Sequence, residues 1–113
     1  MTRVRYDRAD LSLCMEGHAG AGKMGSDLTC AALSMLMLTL EKRMQETAER
    51  TLPVITRAPG SFAIRCRPEA DTEKLCRESF DTVAAGLAVL AENRPEYVSL
   101  TILGEDLEQE DDP

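Results

Sequence analysis

Gly17-His18-Ala19-Gly20-Ala21-Gly22-Lys23-Met24-Gly25-Ser26-Asp27-Leu28-Thr29-Cys30-Ala31-Ala32-Leu33-Ser34 joins two segments of different periodicity. Upstream, Leu11, Leu13 and Met15 alternate with Ser12, Cys14, Glu16 and then His18, the period-two pattern of a half-buried strand that ends at Gly17. Downstream, Leu28 to roughly Glu49 is rich in Ala, Leu, Met, Glu and Lys and holds neither Gly nor Pro. That composition predicts a long helix, with Asp27 as its N-cap. The segment from Ala19 to Ser26, with Gly20, Gly22 and Gly25, has no bulky β-branched or aromatic side chain to pack, so a mobile loop is expected there.

The remaining elements follow outward from this join. A strand over residues 3 to 7, with a turn from Asp7 to Asp10, makes an opening hairpin with the strand that ends at Gly17. Ala58-Pro59-Gly60-Ser61 is a turn sequence between Leu52 to Thr56 and Phe62 to Arg67, which predicts a second hairpin. Asp71 or Thr72 opens a second helix that runs to about Asn93, with an apolar stripe through Leu75, Phe80, Val83, Leu87 and Leu90, and Pro95 marks its end. A last strand spans Tyr97 to Leu103. The order ββαββαβ predicts an α+β domain with two helices packed on a β-sheet. The first half of the long helix is apolar around much of its circumference, which predicts central burial, with Met35, Met37 and Met44 as core filler or as a dimer surface.

The chain has 113 residues, 43% of them hydrophobic, enough for one domain with a modest core. Its net charge of -7 is concentrated in residues 104 to 113, which carry six acids and no base and are expected to be a disordered, solvating tail to a domain over 1 to 103. With no basic cluster interleaved with aromatics, nucleic-acid binding is not expected. The absence of a long apolar run argues against a membrane segment and for a cytoplasmic location. Cys14, Cys30, Cys66 and Cys76 contain no CxxC pair, and His18 is the single histidine, so neither a structural metal nor any other cofactor is expected and the thiols are read as free.

His18 is thus the only imidazole available to chemistry. With Asp27 as N-cap, Cys30 falls at the third helical position, where the macrodipole favours a thiolate by ~0.3–1 kcal/mol. That is too little to activate a thiol unaided; His18, at the strand end that enters the same loop, is the candidate partner. Each residue also has a plainer reading: Cys30 as a small buried hydrophobe, His18 as a polar strand terminus, Asp27 as a cap only, and Ser34, one turn after Cys30, as a packing residue in place of a supporting hydrogen-bond donor. Three classes compete on residues alone: a cysteine peptidase, a non-catalytic dimeric module that holds a peptide, and a thiol redox sensor in which Cys14 approaches Cys30.

The combined string from Gly17 to Ser34 resembles the signature of the ribosomal-processing cysteine protease (Prp) family, YsxB-like: Gly-His-Ala at a strand end, a glycine-bearing loop, then an Asp three residues ahead of a Cys-Ala-Ala that opens a helix. Pro59-Gly60-Ser61-Phe62-Ala63-Ile64, and Gly86-Leu87 through Pro95-Glu96-Tyr97-Val98, fit the family's later elements. The resemblance implies an α+β homodimer that removes an N-terminal extension from the precursor of ribosomal protein twenty-seven of the large subunit. Related phage and prophage members are implied to process capsid or scaffold proteins. It implies His18 as general base, Cys30 as nucleophile, Asp27 and Ser34 in support, and Ala19, Gly20, Gly22 and Gly25 in a mobile segment over the cleft. Leu28-Thr29 in place of the usual Ile-Val, Ser26 where an acid is common, a loop without the aromatic often found there, and the acidic tail depart from that pattern.

Overall fold

A computed structural model describes residues 1–17 and 24–104, with the backbone alone at 24–27. The elements are β1 (Thr2–Asp7), β2 (Ser12–Gly17), α1 (Met24–Glu46), α2 (Ala48–Thr51), β3 (Val54–Ala58), β4 (Ser61–Arg65), a 3-10 turn (Ala70–Thr72), α3 (Glu73–Asn93) and β5 (Val98–Leu103). The expected ββαββαβ order is present, with α2 and the 3-10 turn as short additions. The strands form one sheet in the order β3-β4-β2-β1-β5. Every pairing is antiparallel except that of β1 with β5, which is parallel.

Alternation divides the sheet into two faces. Val4, Tyr6, Leu13 and Ile64 point into the core and pack with Leu33, Met37, Leu40 and Met44 of α1 and with Phe80 and Leu87 of α3. Arg3, Arg5, Cys14 and Glu16 point the other way, and line a recess with Ser99 and Thr101 on the uncovered face. Both long helices therefore cover one side only.

Three departures from the sequence reading have physical causes. α1 begins at Met24, so Gly25 and Ser26 belong to the helix and not to a loop, and Asp27 stands inside the helix and is not its N-cap. The long helix is also not centrally buried: Leu33, Met37, Leu40 and Met44, spaced four, three and four residues apart, take the core side, while Leu28, Met35 and Leu38 are exposed. A two-layer domain has no second sheet to cover that outer stripe. Finally, the helix breaks after Glu46, and α2 ends at Leu52 in a left-handed conformation. Ala19 to Lys23 of the expected mobile loop, and the tail beyond Gly104, lie outside the described residues.

Long-range polar ties fasten the layers. Tyr6 donates to Asp81 Oδ1 at 2.6 Å, Arg8 Nε donates to the same oxygen at 3.1 Å, and Arg8 NH2 donates to Oδ2 at 3.0 Å. Arg77 donates to the Arg8 carbonyl oxygen. The Tyr6 and Phe80 rings stack 6.0 Å apart at 22°. At the opposite edge, Arg57 of β3 lies 4.9 Å over the Phe62 ring and pairs with Glu41 of α1. These contacts tie β1 to α3 and β3 to α1.

Candidate active site

Cys30 extends the inward stripe of α1. It stands three residues before Leu33, as Met37 stands three before Leu40, so it shares the core-facing side of the helix. Leu33 has 1% of its surface exposed, whereas Cys30 is half-buried. A side chain on the buried stripe yet open to solvent marks the rim of the core. Thr29 beside it is buried, and Ser34, one turn on, is exposed. Because α1 starts at Met24, Cys30 is the helix's seventh residue and lies in its second turn. The dipole effect expected for a third-position thiol falls off beyond the first turn, so the helix end contributes less there than the sequence reading assumed.

Backbone hydrogen bonds close one end of the sheet. Gly17 closes β2 and donates its N–H to the Gly60 carbonyl at 2.8 Å, joining the two hairpins, and Thr2 donates to the Tyr97 carbonyl at 2.8 Å. His18 follows Gly17 directly in the chain but lies outside the described residues, as do the side chain of Asp27 and residues Ala19, Gly20 and Gly22. The structure thus places Cys30 and Ser34 of the expected site. Sequence reasoning did not single out Gly17 itself, whose φ is +96°. Its signal was a glycine at the last position of an alternating run.

The other thiols are placed away from this rim. Cys14 projects from the uncovered face, so the sheet separates it from α1 and Cys30. The redox reading that paired these two is overturned by that separation. Cys66 and Cys76 are buried at 2% and 0% exposure. The hydrogen bond from Cys66 to Cys76, and then burial, push the Cys66 thiol up from its ordinary value. Cys76 in turn sits 3.7 Å from the Met44 sulfur. These are packing sulfurs.

A groove of about 420 Å³ lined by Arg8, Lys74, Arg77, Glu78 and Asp81 sits at the far end of β1, away from the Gly17 rim. Arg8, Arg77 and Asp81 of this lining are engaged in the ties described above. Burial pulls the Asp81 carboxyl up, but the hydrogen bonds from Arg8 and Tyr6, with the positive charge of Arg8 and Arg77, outweigh it and hold the group below its ordinary value. Tyr6 is pushed up by burial and by its bond to Asp81. Among the described residues, no cluster of His, Cys, Asp and Glu suited to a metal is present. No helix among them is long and apolar enough to cross a membrane.

Comparison with known proteins agrees with this architecture. A Streptococcus mutans structure superposes with a TM-score of 0.68 at 24% identity, covering 90% of this chain and 91% of that one. The essential ribosomal processing protease Prp of S. aureus, in complex with a covalently linked product peptide, gives a TM-score of 0.74 at 23% identity over 90% and 99% of the two chains. The same protease with a substrate peptide gives 0.74 at 21% identity over the same shares. At these identities the likeness establishes the fold. No curated protein sequence matches the chain. The model of the family described as cysteine protease Prp matches residues 1–99, nearly the whole domain, and the chain belongs to that family of cysteine proteases.

Proposed function

We propose that the protein is an endopeptidase that removes the N-terminal extension of the precursor of ribosomal protein twenty-seven of the large subunit, with Cys30 as nucleophile and His18 as its proton-transfer partner. The observation that carries this reading is Cys30 itself, a half-exposed thiol at the end of an otherwise buried helical stripe. The chain order supports the pairing: His18 follows Gly17, which closes β2, and Cys30 comes twelve residues later in the second turn of α1.

In this mechanism the Cys30 sulfur attacks the scissile carbonyl, and His18 holds the thiol proton and passes it to the departing amine. Water then hydrolyses the thioester, with His18 accepting a proton from it. Backbone N–H groups near the start of α1 would stabilise the oxyanion, and Asp27 and Ser34 would support the pair. The S. aureus protease crystallised with a substrate peptide supports a precursor peptide as the substrate class. The exposed Leu28, Met35 and Leu38 on the outer stripe of α1 support a homodimer, with a second copy covering them.

The test is to incubate the protein with the unprocessed ribosomal precursor and read product masses. A single cut near the N-terminus, lost in Cys30→Ala, is expected. Cleavage of neither this precursor nor a phage capsid or scaffold protein would move the choice to a peptide-holding module.

A further inference from the structure

We infer that the free edge of β5 is a docking strand: it takes an extended segment of a polypeptide partner, apolar at every second residue and basic at its ends, as a sixth, antiparallel strand of the sheet. The inference does not depend on the Cys30/His18 pairing.

Two bonds fix the direction of the backbone groups. Thr2 donates its N–H to the Tyr97 carbonyl at 2.8 Å, and Arg8 donates to the Leu103 carbonyl at 2.9 Å. Both acceptors are odd-numbered, and successive residues of a strand send their N–H and C=O groups to opposite edges. Ser99 and Thr101 therefore face β1, which pairs with β5 in unbroken register from Val98 to Leu103. Leu100 and Ile102 face outward. Because β5 is the last strand in the sheet order, no strand among the described residues meets their N–H and C=O groups. The N–H of Val98 is taken by the Arg94 carbonyl at 3.0 Å, which leaves Leu100 and Ile102 as the outward donors.

The two edges of the sheet differ. Edge strands invite pairing with other chains, and proteins blunt them with charge, proline or a bulge. β3 follows Pro53 and carries Arg57, whereas β5 has no charged residue, no proline and no bulge. On the helix side of the β5 edge lies a groove of about 240 Å³ whose lining includes Ile102 with Ala84, Ala85 and Ala88 of α3. A strand added beside β5 places alternate side chains over this groove, in line with Leu100 and Ile102, while its backbone bonds to theirs. Extended peptides are recognised in this way, with affinity from the edge and selectivity from the groove.

Charge selects the occupant. Glu92 and Glu96 precede β5 with Arg94 between them, and residues 105 to 112, which follow Gly104, carry six acids and no base. Both ends of the strand therefore favour a basic segment. The same charges oppose a second copy, because antiparallel pairing of two β5 strands sets the acid-bearing end of each against the acid-bearing start of the other.

The experiment follows amide hydrogen exchange by NMR in the full chain with a blocked probe, Lys-Lys-Val-Thr-Val-Thr-Val-Lys-Lys, and with the same peptide carrying Glu for Lys. The basic probe, at up to about 1 mM, should slow exchange at Leu100 and Ile102 by at least about tenfold and leave Ser99 and Thr101 unchanged. The acidic probe should not. Ile102→Pro removes one outward N–H without touching a bond to β1. It should weaken binding of the basic probe by at least about fivefold, the equivalent of one hydrogen bond, while Ile102→Val should bind within about twofold of the wild type. No slowing with the basic probe, equal slowing with both probes, wild-type binding by folded Ile102→Pro, or an equal loss in Ile102→Val overturns the inference. So does protection of Leu100 and Ile102 that rises with protein concentration and needs no probe, which gives the edge to a second copy. Should Ile102→Pro not fold, a probe N-methylated at its central valine takes its place. That probe should bind at least about fivefold more weakly, and binding as tight as the unmethylated probe overturns the inference.

Discussion

Asp81→Asn tests the tie between β1 and α3. The carboxylate accepts from Tyr6 at 2.6 Å and from two nitrogens of Arg8 at 3.1 and 3.0 Å. Asparagine keeps one oxygen, enough for Tyr6, but turns an amide NH2 toward the guanidinium, so one charge-assisted contact is lost and two donors face each other. A hydrogen bond to a charged group contributes about 1.5–3 kcal/mol. The Arg8 and Asp81 side chains are 20% and 35% exposed, so water screens part of that. The expected loss is about 1–2 kcal/mol at pH 7, or a melting temperature lower by roughly 4–12 °C for a domain of this size. The pH dependence has a definite sign. The folded carboxyl lies below its unfolded value, so its stabilisation is complete above about pH 4 and is lost as pH falls through the folded value. Urea unfolding of both proteins at pH 7 and pH 2.5 should give a gap that narrows in acid, as the carboxylate takes up a proton on unfolding. A gap below about 0.5 kcal/mol at pH 7, or one undiminished at pH 2.5, would refute the reasoning.

Phe80→Ala should destabilise by about 3–5 kcal/mol in urea melts, because the ring is wholly buried and stacks on Tyr6. Cys66→Ala should cost about 1–2 kcal/mol by the same assay and leave peptide cleavage intact, whereas Cys30→Ala should abolish cleavage with little change in melting temperature; equal loss of activity in both would remove Cys30 as the single nucleophile. Met35→Glu, on the exposed stripe of α1, should convert the proposed homodimer to monomers in sedimentation experiments without loss of helix content, and a variant that sediments as the wild type does would remove this stripe as the interface.

The elements were legible wherever one local pattern dominated. Alternation through Leu13 and Met15 marked β2, Pro59-Gly60 marked the second turn, and the Phe80, Val83 and Leu87 stripe marked α3. The start of α1 was not, because Gly25 and Ser26 are weak helix formers and Asp27 is a strong cap, so local preference pointed too far along the chain. Nor was the division of α1 into a buried and an exposed side: Leu, Met and Ala on every side carry no information about which side meets the sheet. The Arg8, Tyr6 and Asp81 tie joins residues more than seventy apart, which no window of sequence relates. For the site, the motif named Cys30, but its exposure at the rim of the core is a tertiary fact.

The parallel partnership of β1 with β5 sets the order in which the molecule can assemble. Thr2 pairs with Val98 and Asp7 with Leu103, so the first strand made is completed by the last. During synthesis β2, β4 and β3 can join β1 as an antiparallel ribbon, but one side of β1 stays an open template until residues 98–103 emerge. Contacts of such long sequence separation slow folding, and they make the fold all-or-none with respect to its final strand. A nascent chain that already carries Cys30 and His18 would still lack the support under Thr2, whose N–H is held by Tyr97, and Thr2 adjoins the Met1 carbonyl that abuts Gly17. The support beside the Gly17 end of β2 is thus complete only once the chain has been translated through β5.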